Sequence, residues 1–139
     1  MWERIIDIPH FGSSNSKEQT VASQPVLLKA LAKLTYDLNF SNRKPDNSDE
    51  LFERLLEGLQ SIDFSHSNHT WNYYGLTQTD RKQYHLIDLA SYLPSDEGAN
   101  RDIGSIQGGF IRFGAKHNDI YPILADMIRW QIGLPSRFA

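Results

Sequence analysis

Arg101, Arg112, Lys116 and His117 fall in one stretch that also carries Gly108, Gly109 and Gly114 and the aromatic pair Phe110 and Phe113. Glycine-rich backbone between cationic side chains approaches a phosphodiester closely, and flat rings beside cations suit nucleic acid. The chemistry this pattern points to is electrostatic contact with phosphate, which positions a protein on DNA without reading bases. The plainer alternative is a hairpin whose rings join the core while its basic groups are solvated.

Other combinations carry less. His66 and His69 stand three apart and would face one metal on a helix, but Ser65, Ser67 and Asn68 favour a loop. The pair reads as two exposed loop histidines, and no metal is expected. Gly109 to Lys116 (GFIRFGAK) looks superficially like a phosphate-binding loop, which needs G-x-x-x-x-G-K followed by Ser or Thr. Here Ala115 intervenes and His117 replaces the hydroxyl residue, so a Walker loop is excluded. No serine lies in a G-x-S-x-G elbow. The adjacent carboxylates Asp96–Glu97 and Asp49–Glu50 are accounted for by solvation and helix capping. No catalytic residue and no cofactor is therefore assigned, and an enzyme would need a tight histidine–carboxylate pocket. Trp71, Tyr73 and Tyr74 read as core aromatics ahead of stacking platforms.

These residues must be positioned by helices. Ile5, Ile6 and Ile8 before Pro9 suit an edge strand or an extended lead-in, and Gly12 to Ser16 a polar turn. Ser23-Gln24-Pro25 offers a cap candidate with proline in the first turn. Val26, Leu27, Ala30, Leu31, Leu34, Tyr36 and Leu38 then form an apolar stripe that predicts a helix to about Asn39, with Lys29 and Lys33 on another face. Asn47 and Glu50 resemble a capping box ahead of Leu51, Phe52, Leu55, Leu56, Leu59 and Ile62, a second helix whose acids favour its N-terminal dipole end. Thr79 or Asp80 is expected to cap a third helix with Leu86, Leu89, Ala90 and Leu93 inward and Pro94 as its stop. Gln107-Gly108-Gly109 between Ile103–Ile106 and Phe110–Phe113 predicts a hairpin. The last helix is capped by Asn118 or Asp119, carries Ile120, Ile123, Leu124, Met127, Ile128 and Ile132 on one side, and stops at Gly133. Pro122 is expected in its first turn or at a bend.

The chain has 139 residues, 40% of them hydrophobic and 22% charged, which fits one globular domain able to bury about 70% of its unfolded surface. It contains no cysteine, which excludes zinc-ribbon, iron–sulfur, thiol-redox and cysteine-nucleophile chemistry. No apolar run approaches the roughly 18–20 residues that span a bilayer, and Met1 to Pro9 lacks a signal pattern. The expectation is a soluble, cytoplasmic chain without a membrane partner. A net charge of −3 rules out a surface that grips nucleic acid throughout. The charge is unevenly spread, however. Pro45 to Phe64 holds six acids against one base, and Arg101 to Ala139 five bases against three acids. A local basic patch on an acidic domain follows, and the acidic run reads as a solvated helix face.

Taken in order, Ser16-Lys17-Glu18, Val26 to Leu38 (VLLKALAKLTYDL), Phe52 to Trp71, and Arg112 with His117 before an apolar helix resemble the C-terminal half of proteins in the DndB/DGQHR family, associated with bacterial DNA sulfur modification. In that family a serine/basic lead precedes an Ala/Leu-rich helix, a helix runs toward a tryptophan, and an arginine–histidine pair introduces a closing helix ending at glycine. The D-G-Q-H-R string itself is absent, so Arg112 and His117 are the positions matched, and activity residing in the missing region does not carry over. The resemblance implies a DNA-associated regulatory or defence-linked protein, with residues 1–139 as a single domain, either a fragment corresponding to the C-terminal part of a longer family protein or a stand-alone relative.

The expected fold is mainly α, three to four amphipathic helices around one core with a small β-hairpin. The expected function is a non-enzymatic module contacting the DNA backbone through Arg101, Arg112, Lys116 and His117. Its rival is a protein–protein interaction or self-association domain using the acidic helix 47–62 or the closing helix.

Overall fold

The computed structural model describes residues 20–41, 45–95 and 103–138. The expected N-terminal strand and turn, the Asp96–Glu97 pair and Arg101 lie outside them. The elements are α1 (Pro25–Asn39), α2 (Ser48–Ser61), a 3₁₀ helix (His69–Gly75), α3 (Gln78–Gln83), a second 3₁₀ helix (Ile87–Tyr92), β1 (Gly104–Gln107), β2 (Phe110–Phe113) and α4 (His117–Ile132). The protein is mainly helical with, among the described residues, one two-stranded antiparallel hairpin, as its periodicities predict.

Helix α1 starts at Pro25, whose fixed φ suits the first helical position, and buries Val26, Leu27, Ala30, Leu31, Leu34 and Leu38. Tyr36 is not part of that stripe; it is 56% exposed, because two residues beyond Leu34 is about 200° around the helix. Thr35 is buried beside the stripe instead. Helix α1 packs chiefly on α4, and α2 lays Leu51, Phe52, Leu55, Leu56 and Leu59 against both. Asn47 stands at the N-cap of α2, but its side chain makes no capping hydrogen bond, so the expected capping box does not form. Helix α4 closes the core with Ile120, Ile123, Leu124, Met127 and Ile128. Its apolar side is consumed in this packing, with Tyr121, Trp130 and Ile132 left partly buried. It begins at His117, with Lys116 rather than Asn118 or Asp119 at the cap position, and Pro122 sits in its second turn.

The aromatic stretch is core, as expected. Trp71 is buried, stacks on Phe64 and donates its indole N–H to the Asp63 carbonyl at 3.1 Å. Tyr73 is buried beneath the Arg81 guanidinium, 3.9 Å from the ring centroid, and Tyr74 donates its hydroxyl to the Pro94 carbonyl at 2.7 Å.

The single helix expected from about 79 to 93 is instead two short pieces. Thr77 caps α3 by accepting from the Asp80 N–H at 3.1 Å, and the chain leaves the helix at His85, whose φ is +60°. The Leu86 N–H then bonds back to the Arg81 carbonyl at 2.7 Å and the His85 N–H to the Lys82 carbonyl at 3.2 Å, a Schellman closure with histidine in the left-handed position. Leu86, Leu89 and Leu93 still reach the core, while Ala90 is exposed. The same closure ends α4, where Gly133 has φ +79° and the Leu134 N–H meets the Arg129 carbonyl at 2.9 Å.

Candidate nucleic-acid interface

The hairpin turns through Gly108 and Gly109 at φ +60° and +84°, the paired positive values of a type I′ turn. Its register sets Ser105 opposite Arg112 and Gln107 opposite Phe110. Alternation along β2 then puts Ile111 inward, where it is buried, and Arg112 outward, where it is exposed.

An isolated two-stranded ribbon is marginal in water, and this one is fastened by side chains along the outer edge of β2. Gln24 donates from Nε2 to the Ile111 carbonyl at 2.7 Å and accepts at Oε1 from the Phe113 N–H at 3.0 Å. The Ile111 N–H donates to His66 Nδ1 at 2.9 Å, with the His66 ring edge-on to Phe110 at 5.0 Å. The Ile111 N–H and carbonyl and the Phe113 N–H are thus satisfied by a carboxamide and an imidazole in place of a third strand. His66 is therefore half-buried and structural, which corrects its reading as an exposed loop residue. His69 is exposed and stacks on Tyr84, centroids 3.6 Å apart. The two histidines are engaged with different elements, and among the described residues no group of three or more metal-ligating side chains occurs.

From β2 the chain passes through Gly114 and Ala115 into α4, and Arg112, Lys116 and Asp119 border one groove of about 780 Å³ between hairpin and helix. A second groove of about 510 Å³ adjoins it, sharing Ala115, Lys116 and Asp119 and adding His117 and Lys29. Lys29 Nζ is 2.8 Å from His117 Nδ1. An ammonium only donates, so Nδ1 accepts and the ring proton in this arrangement is on Nε2. Arg112, Lys116 and His117 therefore gather at one end of the fold, joined by Lys29 from α1. Among the described residues Asp119 is the acid beside them, and its place in the first turn of α4 favours it there. Lys29 carries no local signal of this role. It lies on the polar side of its helix, and only the packing of α1 on α4 brings it to His117.

A second charged cluster is structural in form. Asp126 is buried and accepts from Arg137 Nε at 2.7 Å, while Arg129 donates to the Pro135 carbonyl at 3.0 Å and lies 3.9 Å from Asp37. Burial pushes the Asp126 carboxyl above its ordinary value, although Arg137, Arg129 and Lys33 act to lower it. Burial likewise lowers the Arg129 guanidinium, opposed by Asp37 and Asp126. Tyr92 donates its hydroxyl to the Leu134 carbonyl and Arg54 Nη2 donates to the Gly133 carbonyl, so the segment after α4 is strapped to the body at four points. No helix among the described residues is long and apolar enough to cross a membrane.

A family model described as DndB: DNA-sulfur modification-associated matches residues 2–123, a range that includes Lys29, Arg112, Lys116 and His117. No curated protein matches the chain, and no solved structure does.

Proposed function

The chain belongs to the DndB family of DNA-sulfur modification-associated proteins, and from that membership we propose that it is a non-enzymatic DNA-associated module that contacts the phosphate backbone. Arg112 and Lys116 are the principal contacts, with Lys29 and His117 beside them and Arg101 as a further cation of the same stretch. The observation that carries this reading is the convergence of Lys29, Arg112 and Lys116, from three separate segments, on two adjoining grooves whose described lining residues include one acid, Asp119. Local cation density on a chain of net charge −3 supplies sequence-independent attraction to a polyanion, which weakens as salt rises. The module would serve a regulatory or defence-linked role in a cytoplasmic setting.

The test is duplex-DNA binding by fluorescence anisotropy at low and near-physiological salt, comparing the native protein with the Arg112→Ala/Lys116→Ala double variant. Salt-sensitive binding is expected, with a log–log slope shallower by about 2 in the variant. Absence of binding even at low salt overturns the reading.

A second reading, protein–protein assembly without nucleic acid, is favoured by Tyr36 and Phe40, which stand four apart near the end of α1 and are 56% and 62% exposed. It would appear as concentration-dependent oligomerisation in sedimentation, indifferent to DNA.

A further inference from the structure

The larger groove has more in it than phosphate contact uses. Ile120 and Ile123 of α4, both buried, and half-buried Phe113 give it an apolar floor. Ser105 and Gln107 line it from β1, with Gln107 Nε2 donating to Ser105 Oγ at 3.2 Å. Arg112, Lys116 and Asp119 stand at its rim.

A backbone phosphate gains nothing from an apolar floor. A group with apolar faces, a hydrogen-bonding edge and an attached anion matches all three parts, and a nucleotide has that composition. In a base-paired duplex those faces are covered by stacking, so the group that enters must be unpaired. At about 780 Å³ the groove lies in the range of small-molecule sites.

We propose that this groove seats one unpaired nucleotide of a DNA strand. The base lies on Phe113, Ile120 and Ile123, its edge meets Gln107, Asp119 accepts from an exocyclic amino group, and the phosphate meets Arg112 and Lys116. The proposal rests on the DNA-association reading and deepens it by naming what the site prefers. A cytosine suits it, because a carboxylate accepts from its N4 amino group.

The test compares anisotropy titrations of a blunt duplex and the same duplex carrying one bulged dC, with deoxycytidine monophosphate as competitor. Ala115 is exposed and borders the groove, so Ala115→Trp plugs it without changing charge. The native protein is expected to prefer the bulged duplex by about tenfold, within the range of one base stacked on protein. Ala115→Trp abolishes that preference, read as the ratio of bulged-duplex to blunt-duplex affinity in the same variant, and Gln107→Ala, a smaller change on an exposed strand, reduces it. Equal binding of the two duplexes by the native protein, or a preference that survives Ala115→Trp in a protein with native circular dichroism, overturns the proposal and leaves phosphate contact standing. Free mononucleotide binding as tightly as the bulged duplex overturns the occupant named here. Failure of every DNA to bind at low salt overturns the reading beneath it as well.

Discussion

Lys29 Nζ and His117 Nδ1 lie 2.8 Å apart although 88 residues separate them in the chain. The contact joins the outward side of α1 to the first residue of α4 and adds a cation to the end of the fold where Arg112 and Lys116 already stand. Lys29→Ala should weaken duplex binding alike for all sequences and reduce the salt slope by about 1. Lys33→Ala, whose ammonium is engaged with Asp37 at 3.0 Å, is the control and should change neither. Equal effects from the two variants would mean that only overall charge matters.

The hairpin depends on Gln24. Gln24→Ala removes both the donor to Ile111 and the acceptor for Phe113, at an expected cost of about 1–3 kcal/mol. Amide exchange should locate the damage, with the Phe113 N–H losing protection by far more than the amides inside α1. Gln24→Glu keeps the acceptor and loses the donor, so Phe113 should stay protected while the Ile111 carbonyl faces a carboxylate. Exchange at Phe113 unchanged by Gln24→Ala would refute the clamp.

His85 holds a conformation that glycine adopts without strain, and the equivalent closure of α4 uses glycine. His85→Gly should stabilise the protein by about 0.5–1 kcal/mol, read as a rise in Tm of about 2–4 °C. A fall in Tm would mean that the exposed histidine ring contributes more than its backbone strain costs.

Asp126 sets a pH dependence whose sign follows from burial. Its folded-state carboxyl is raised above the ordinary 3.8, so the folded protein holds the proton more tightly than the unfolded chain in the window upward from there. Its contribution to stability therefore falls as pH rises through that window. Relative to native protein, Asp126→Asn should gain in Tm between about pH 4 and its raised value and level off above. A difference that is flat across the acid range would contradict the assignment. Arg137→Ala, which leaves the buried carboxylate without its ion partner, should cost about 1–3 kcal/mol at pH 7.

The sequence by itself determined the elements whose cause is local. Apolar residues at helical spacing specify α1, α2 and α4, paired glycines specify the hairpin turn, and Gly133 marks the end of α4, because periodicity and positive φ are constraints a few residues long. The Arg112–Lys116–His117 group was legible for the same reason, being contiguous along the chain. The break at His85 was not, since a histidine in the left-handed position looks like any helical residue until Leu86 is seen drawn into the core. Nor was the use of Gln24, whose cap-like position before Pro25 conceals a partner 87 residues away. Tertiary structure alone decided that Lys29 lies beside His117 and Lys116, that His66 fastens a strand and that Asp126 is buried. Each of these depends on how α1 docks on α4 or how the hairpin is held by Gln24 and His66, and docking is settled by the packing of the whole core.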